Sequence, residues 1–297
     1  MSLRLEMLQV ARLAPRLLGE STDLVRDFVL SQLHDDGGFV DREGKPDLYY
    51  TVFGIDCLIA LQAEVPRERV EPYILSFGLE ELDLVHLSCL ARAHAALPQI
   101  PLTSERRDEF LERLESFRSA DGAFHNGAGR ETGTVYGYFL ATGIYQDLGL
   151  GDLAAAQREA LMSFLQAMET PDGGYTNEPL ITVGATPATA AAVTLLRYFD
   201  GPTRFAAAEF LESLFDRENG GFRALPGAPI PDLLSTATAL HALVGLQRSL
   251  EEFQEPCLGF IDTLWLNRGS FFAHWADDIL DCEYTFYGLL ALGHLSV

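Results

Sequence analysis

The chain has 297 residues, 48% of them hydrophobic and 10% aromatic, which is enough apolar material for a large core. Its formal net charge of −22, with only 21 Lys+Arg, argues against nucleic acid and anionic membrane surfaces as main partners, because phosphate binding needs clustered cations. Four cysteines stand far apart with no CxxC pair, no apolar run reaches the length of a membrane span, and no signal-peptide pattern opens the sequence; together these predict a reduced, cytoplasmic protein.

Following the chain, an amphipathic segment near residues 5–18 precedes a unit that keeps returning. A polar-faced helix leads into a glycine-aromatic turn, then a loop of variable length, then a more apolar helix. The turns are Asp36-Gly37-Gly38-Phe39, Asp121-Gly122-Ala123-Phe124, Asp172-Gly173-Gly174-Tyr175, Asn219-Gly220-Gly221-Phe222 and Gly269-Ser270-Phe271. Glycine supplies positive φ after a helix end, and the aromatic can fold back between neighbouring units as a plug. A further unit without the turn lies near residues 71–97. Polar-faced helices are predicted over 23–33, 105–118, 154–168, 204–215 and 251–266; apolar ones over 47–61, 82–97, 132–145, 185–198, 232–246 and 281–294. An outer ring with one wet face around a buried inner ring accounts for both patterns. The expectation is one all-α domain, residues 1–297, of six helical hairpins.

The inner-helix starts align on a threonine: Thr51, Thr134 and Thr285 head TVFG, TVYG and TFYG, while Thr189 and Thr236 head smaller-residue versions. Four residues earlier stand Asp47, Arg130, Ala185, Asp232 and Asp281; one residue earlier stand Tyr50, Gly133, Ala188, Ser235 and Tyr284. If these positions face the axis, acids and tyrosines ring one end of a cavity. The small residues Ala185, Ala188, Ala192, Ser235 and Ala239 either leave room for a bulky apolar ligand or let crowded helices approach.

The last inner helix opens with the densest cluster of chemistry, Asp277-Asp278-Ile279-Leu280-Asp281-Cys282-Glu283-Tyr284. The hairpins, the turns and the closing DxxYTFYGLLALGHL together resemble the α-α toroid superfamily, within it the β subunit of protein prenyltransferases and more distantly the squalene-type terpene cyclases. The resemblance implies an α/α barrel, a prenyl chain or other apolar small molecule in the central cavity, and in the transferases a helical partner subunit. That family holds zinc with an Asp-x-Cys pair and a histidine. Here Asp232 matches, Leu234 stands at the cysteine position and Tyr284 at the histidine position, which leaves Asp232, Asp281 and Cys282 as the candidates for holding zinc or magnesium. For the ligand's diphosphate the candidates are His125, Arg130, Tyr136, Arg223 and His274, with Asp47 and Tyr50 at the same rim; a salt bridge to a rim acid is the alternative for Arg130. The cyclase comparison makes Glu283 or Asp281 a general acid, or else Glu283 an ordinary glutamate favoured by the helix dipole, and the missing zinc ligands also fit a non-catalytic toroid that binds an isoprenoid or a protein. Asp277, Asp278 and Asp281 also spell DDxxD, a magnesium pattern in other terpene enzymes, though Asp278 or Asp281 serves equally as a helix cap.

Overall fold

Each glycine-aromatic turn closes a miniature hairpin, in which Leu33 pairs with Phe39, Arg118 with Phe124, Glu169 with Tyr175, Phe215 with Phe222 and Trp265 with Phe271. The computed structural model describes residues 2–151, 155–202 and 205–297. The outer helices are α3 (Ser21–Ser31), α5 (Arg67–Leu75), α7 (Ser104–Glu115), α9 (Arg158–Ala167), α11 (Phe205–Ser213) and α13 (Glu251–Leu264). The predicted outer starts at Ala154 and Arg204 lie outside the described residues. The inner helices are α4 (Leu48–Ala60), α6 (Leu84–Ala96), α8 (Val135–Asp147), α10 (Thr186–Tyr198), α12 (Leu233–Gly245) and α14 (Cys282–Leu295). Each inner helix packs on the one before and the one after, and α14 returns to α4, so the ring closes. The fold is the α-α toroid, with strand confined, among the described residues, to the turns.

The turns lock this ring by close backbone approach. A Cβ on Gly37, at φ 95°, would lie 2.0 Å from the Arg69 carbonyl oxygen of α5, and one on Gly269, at φ 93°, would lie 2.0 Å from that of Leu24 in α3. Only glycine meets both demands, and the second contact joins the last unit to the first.

The aromatic of each turn is fully buried beneath an inner helix. Thr51, Thr189 and Thr236 accept hydrogen bonds from the N–H of Phe39, Tyr175 and Phe222, all at 2.9 Å. A Cβ on Gly54 or Gly288 would come within 2.5 or 2.4 Å of the Phe39 or Phe271 ring. The shared Thr-x-x-Gly face is therefore scaffold, seating rings whose burial contributes about 1.5–3 kcal/mol each. Ala192 and Ala239 hold the glycine register in α10 and α12 and are fully buried, so they serve helix approach.

In the third unit the threonine alignment is one turn out of phase. Thr134 is the N-cap of α8, its Oγ1 accepting from Gly137 N–H at 2.8 Å, and Tyr138 stands in the threonine register, edge-on to Phe124. Arg130 consequently lies exposed in the preceding loop, not at an axial helix start.

The opening segment forms α1 (Leu3–Ala11) and α2 (Pro15–Leu18). Helix α1 packs against α4, α8 and α14 at their C-terminal ends and floors the ring. Leu3 N–H donates to Gln146 Oε1 at 2.8 Å, Arg4 pairs with the fully buried Asp56 at 2.8 Å, and Gly293 lies against the Val10 carbonyl. No described helix is long and apolar enough to cross a membrane.

Candidate functional site

With α1 as floor, the space inside the ring opens at the N-terminal ends of the inner helices, where helix caps set the side-chain positions. Asp47, Asp83, Asp232 and Asp281 each accept from N–H groups of their own helix's first turn, satisfying donors that would otherwise be unpaired. Capping thus explains the acidic rim without any ligand.

The remaining carboxylate capacity is largely matched by cations. Arg42, from the loop ahead of α4, reaches across the ring closure: its Nε donates to Asp281 Oδ2 at 2.7 Å and its two Nη atoms to Asp277 at 3.2 and 3.0 Å. Its guanidinium also lies over the Tyr284 ring at 5.2 Å. Burial raises the Asp281 carboxyl, against the Tyr284 N–H and the Arg42 charge that lower it. At the neighbouring helix start, His86 contacts Asp47 at 3.5 Å and Asp83 at 2.8 Å, and these carboxylates, Asp47 foremost, raise it to about 9.

Glu283 differs. Its Oε1 accepts from Tyr49 Oη at 2.6 Å, and the Tyr49 ring lines the cavity below the rim. Burial raises this carboxyl to about 7, with Asp281 adding to the effect and Tyr49 and Arg42 opposing it. At neutral pH the group is poised between acid and carboxylate, which is the condition for proton transfer.

Below the rim lies a cavity of about 410 Å³, walled by Tyr49, Tyr136, Phe139, Tyr287, Leu234 and the small face of α10, with Met7, Thr194 and His241 at its base. That volume falls in the ~300–1,000 Å³ range of small-molecule sites. Tyr136 is 43% exposed, yet burial raises its hydroxyl, as expected for a ring that faces this inner space. Ala185 and Ala188 line the cavity and make room there.

The structure sorts the sequence candidates. Asp281, Glu283, Asp232, Tyr284, Asp47 and Tyr50 are at the rim, and Tyr136 is in the wall. His125 stays in its own loop, its Nδ1 accepting from Gly127 N–H at 2.9 Å, and Arg223 pairs with Asp216 at 2.7 Å. Cys282 is fully buried and turned to α4, where Cys57 Sγ lies 3.6 Å from its carbonyl oxygen. No group of three His, Cys, Asp or Glu side chains fit to hold a metal occurs among the described residues. A family-type zinc site fails on its donors, since Leu234 offers none and Asp232 uses Oδ1 as a cap. The DDxxD pattern fails as a magnesium site because Asp277 and Asp281 already enclose Arg42, while Asp278 faces an outer groove.

The sequence reading passed over Arg42, Tyr49, Tyr287 and His241. Tyr49 and Tyr287 carried a signal in their position within the first two turns of inner helices. His241 shares a helical face with Leu234 and Thr238. Arg42 carried none, since its partners lie more than 230 residues away.

A family model described as the prenyltransferase alpha-alpha toroid domain matches residues 18–91, 77–185 and 188–295. Among solved structures, a Candida albicans protein geranylgeranyltransferase-I complexed with GGPP is similar at a TM-score of 0.53 and 14% identity, over 97% of this chain and 83% of that one. The type II terpene cyclase MstE from Scytonema aligns at a TM-score of 0.58 and 13% identity, over 94% and 97%. No curated protein sequence matches.

Proposed function

Because the chain belongs to the prenyltransferase alpha-alpha toroid domain family, we propose that it handles an isoprenoid-like apolar chain in the central cavity, acting as a metal-independent enzyme of terpene-cyclase type with Glu283 as the general acid. The observation that carries this reading is the Glu283 carboxyl, raised to about 7 and bound to Tyr49, a residue of the aromatic cavity wall. In the reaction, Oε2 delivers its proton to an alkene carbon, and the Tyr49 hydroxyl on Oε1 stabilises the carboxylate left behind. The faces of Tyr49, Tyr136, Phe139 and Tyr287 surround the carbocation, where each can stabilise positive charge by cation–π attraction; attack on it by a second alkene closes a ring, and loss of a neighbouring C–H proton to the Glu283 carboxylate forms the product alkene and restores the acid.

A diphosphate-bearing substrate fits less well. The rim's carboxylates are numerous and Arg42 and His86 are already engaged by them, so an anionic head would meet repulsion and would have to compete for these two cations. An uncharged polyene meets neither obstacle. The test is product analysis by mass spectrometry after incubation with linear polyprenes and polyprenyl diphosphates, in the presence and absence of chelator. Cyclised or isomerised products, unaffected by chelator and reduced at least ~100-fold in Glu283→Gln, are expected. Full turnover in that variant removes Glu283 from the mechanism. Chelator-sensitive transfer of a prenyl group would establish the transferase reading instead.

A further inference from the structure

We infer that the floor of the cavity is a hydrogen-bonding subsite for a hydroxyl group at the inner end of an otherwise apolar ligand, with His241 as the residue that reads it. The inference rests on the cavity binding an apolar chain as proposed above, and adds the chemistry of that chain's far end.

His241 lies on α12 three residues past Thr238 and seven past Leu234, so the face that lines the cavity wall carries its ring to the base, beside Met7 of α1. Only 6% of the residue is exposed. Its Nδ1 is fixed by His294 Nε2 at 3.0 Å, the two rings standing 5.2 Å apart at 63°. Its Nε2 is buried with no hydrogen-bond partner among the described residues. A buried nitrogen left in this way is destabilising, and a ligand atom that satisfied it would recover much of the loss.

Glu6 defines what the atom must be. Its Oε1, also bound by Arg197, lies 3.8 Å from His241 Nε2, too far for a direct bond. An oxygen set to one side of this gap, about 2.8 Å from each atom, bridges the two. With a carboxylate across the gap, the favoured tautomer carries the proton on Nε2, and His294 Nε2–H donates to Nδ1. Burial keeps both rings neutral, lowering His241 to about 4 and His294 to about 3. The inserted group must then accept from His241 and donate to Glu6. A hydroxyl does both; a ketone sets its own acceptor oxygen against the Glu6 carboxylate, a carboxylate sets like charges together, and a hydrocarbon leaves Nε2 unpaired. Thr194, the neighbouring hydroxyl at the base, cannot serve, since it donates to its own helix at Ala190 O, 2.8 Å away.

The test compares farnesol with its hydrocarbon analogue farnesene, each displacing a fluorescent apolar dye from the purified full-length chain. Wild type is expected to bind farnesol five- to tenfold more tightly, about one net buried hydrogen bond. In His241→Phe that ratio falls to about one, while His241→Gln, which keeps an N–H donor, retains part of it. Glu6→Gln reads the same slot from the other side and decides the matter if His241→Phe melts early; a loss of at least twofold in the ratio is expected. Equal binding of the two probes by wild type overturns the inference and leaves the cavity reading intact. So does a preference that survives both His241→Phe and Glu6→Gln, which would place the hydroxyl at the Glu283 end. Binding of neither probe overturns both.

Discussion

Replacing Arg42 with methionine keeps the aliphatic stem and removes the guanidinium that holds Asp277 and Asp281. Asp281 is 2% exposed and receives Arg42 Nε at 2.7 Å; Asp277 receives both Nη atoms. Losing one partner of a buried ion pair costs about 3–5 kcal/mol, but the Arg42 side chain is 31% exposed, so solvent softens the loss to about 2–3 kcal/mol at pH 8. The pH dependence has a definite sign. Burial already raises Asp281, and Arg42 is one of the influences that lower it. Without the guanidinium its folded-state pKa moves further above the unfolded value of about 3.9. Such a group contributes stability that is complete below the unfolded pKa and is lost as pH rises through the folded one. The penalty should therefore shrink to less than half at pH 5. Urea unfolding followed by the fluorescence of Trp265 and Trp275, at both pH values, measures it. A penalty under about 0.5 kcal/mol at pH 8, or one equal at the two pH values, would refute the assignment of Arg42 as the cation of this cluster.

Glu283→Gln mimics the protonated acid. Because burial raises Glu283 from 4.5 to about 7, the wild type loses stability as pH rises through that window, and the variant should be more stable by about 3 kcal/mol at pH 8 and equal at pH 4, read by denaturant titration. Tyr49→Phe removes the hydrogen bond that lowers Glu283, so the midpoint of that pH dependence should move upward; an unmoved midpoint counts against the contact. Gly288→Ala places a Cβ 2.4 Å from the Phe271 ring and should cost about 1–3 kcal/mol, whereas Gly143→Ala in α8, with nothing within 4 Å, should gain about 0.5–1 kcal/mol in parallel thermal melts. All four thiols are buried, and burial raises Cys57 and Cys282 well above the usual range, so a thiol reagent such as DTNB should label none of them until the protein unfolds.

The toroid was legible because its signals are local and repeated. Glycine at the turns, an aromatic after it and a threonine in the following helix each reflect contacts within one unit or with the next, such as Phe39 with Thr51 and Gly54. The third unit defeated the alignment because Thr134 and Thr51 do different work behind similar letters: the first caps a helix and the second anchors a turn. That slip carried Arg130 to the rim on paper, whereas it is exposed in a loop. The cations that matter were invisible for another reason. Arg42 meets Asp277 and Asp281 only because the ring closes, and no pattern along the chain encodes which distant side chains a closure brings together.

The acids at the rim share one origin, as caps or first-turn residues of inner helices, and differ in what else they are given. Asp47 has His86, Asp281 has Arg42, and Asp232 receives the N–H of Ser235. Glu283 receives a single hydroxyl and no cation, within a site dry enough to raise it to about 7. Density of carboxylates, greatest over residues 277–283, is thus a poor guide to reactivity, since a guanidinium such as Arg42 favours the anionic form of the carboxylates it pairs with. The acid that retains a proton near neutrality is the one the scaffold leaves least satisfied. The same reasoning selects His241 at the other end of the cavity. The two groups lie on inner helices whose stretches from cap to floor run nine and thirteen residues, Asp232 to His241 and Asp281 to His294, or roughly 14–20 Å at 1.5 Å per residue. A ligand that satisfied both would have to be long, apolar in the middle and polar at its inner end, which is a narrower description than the fold alone provides.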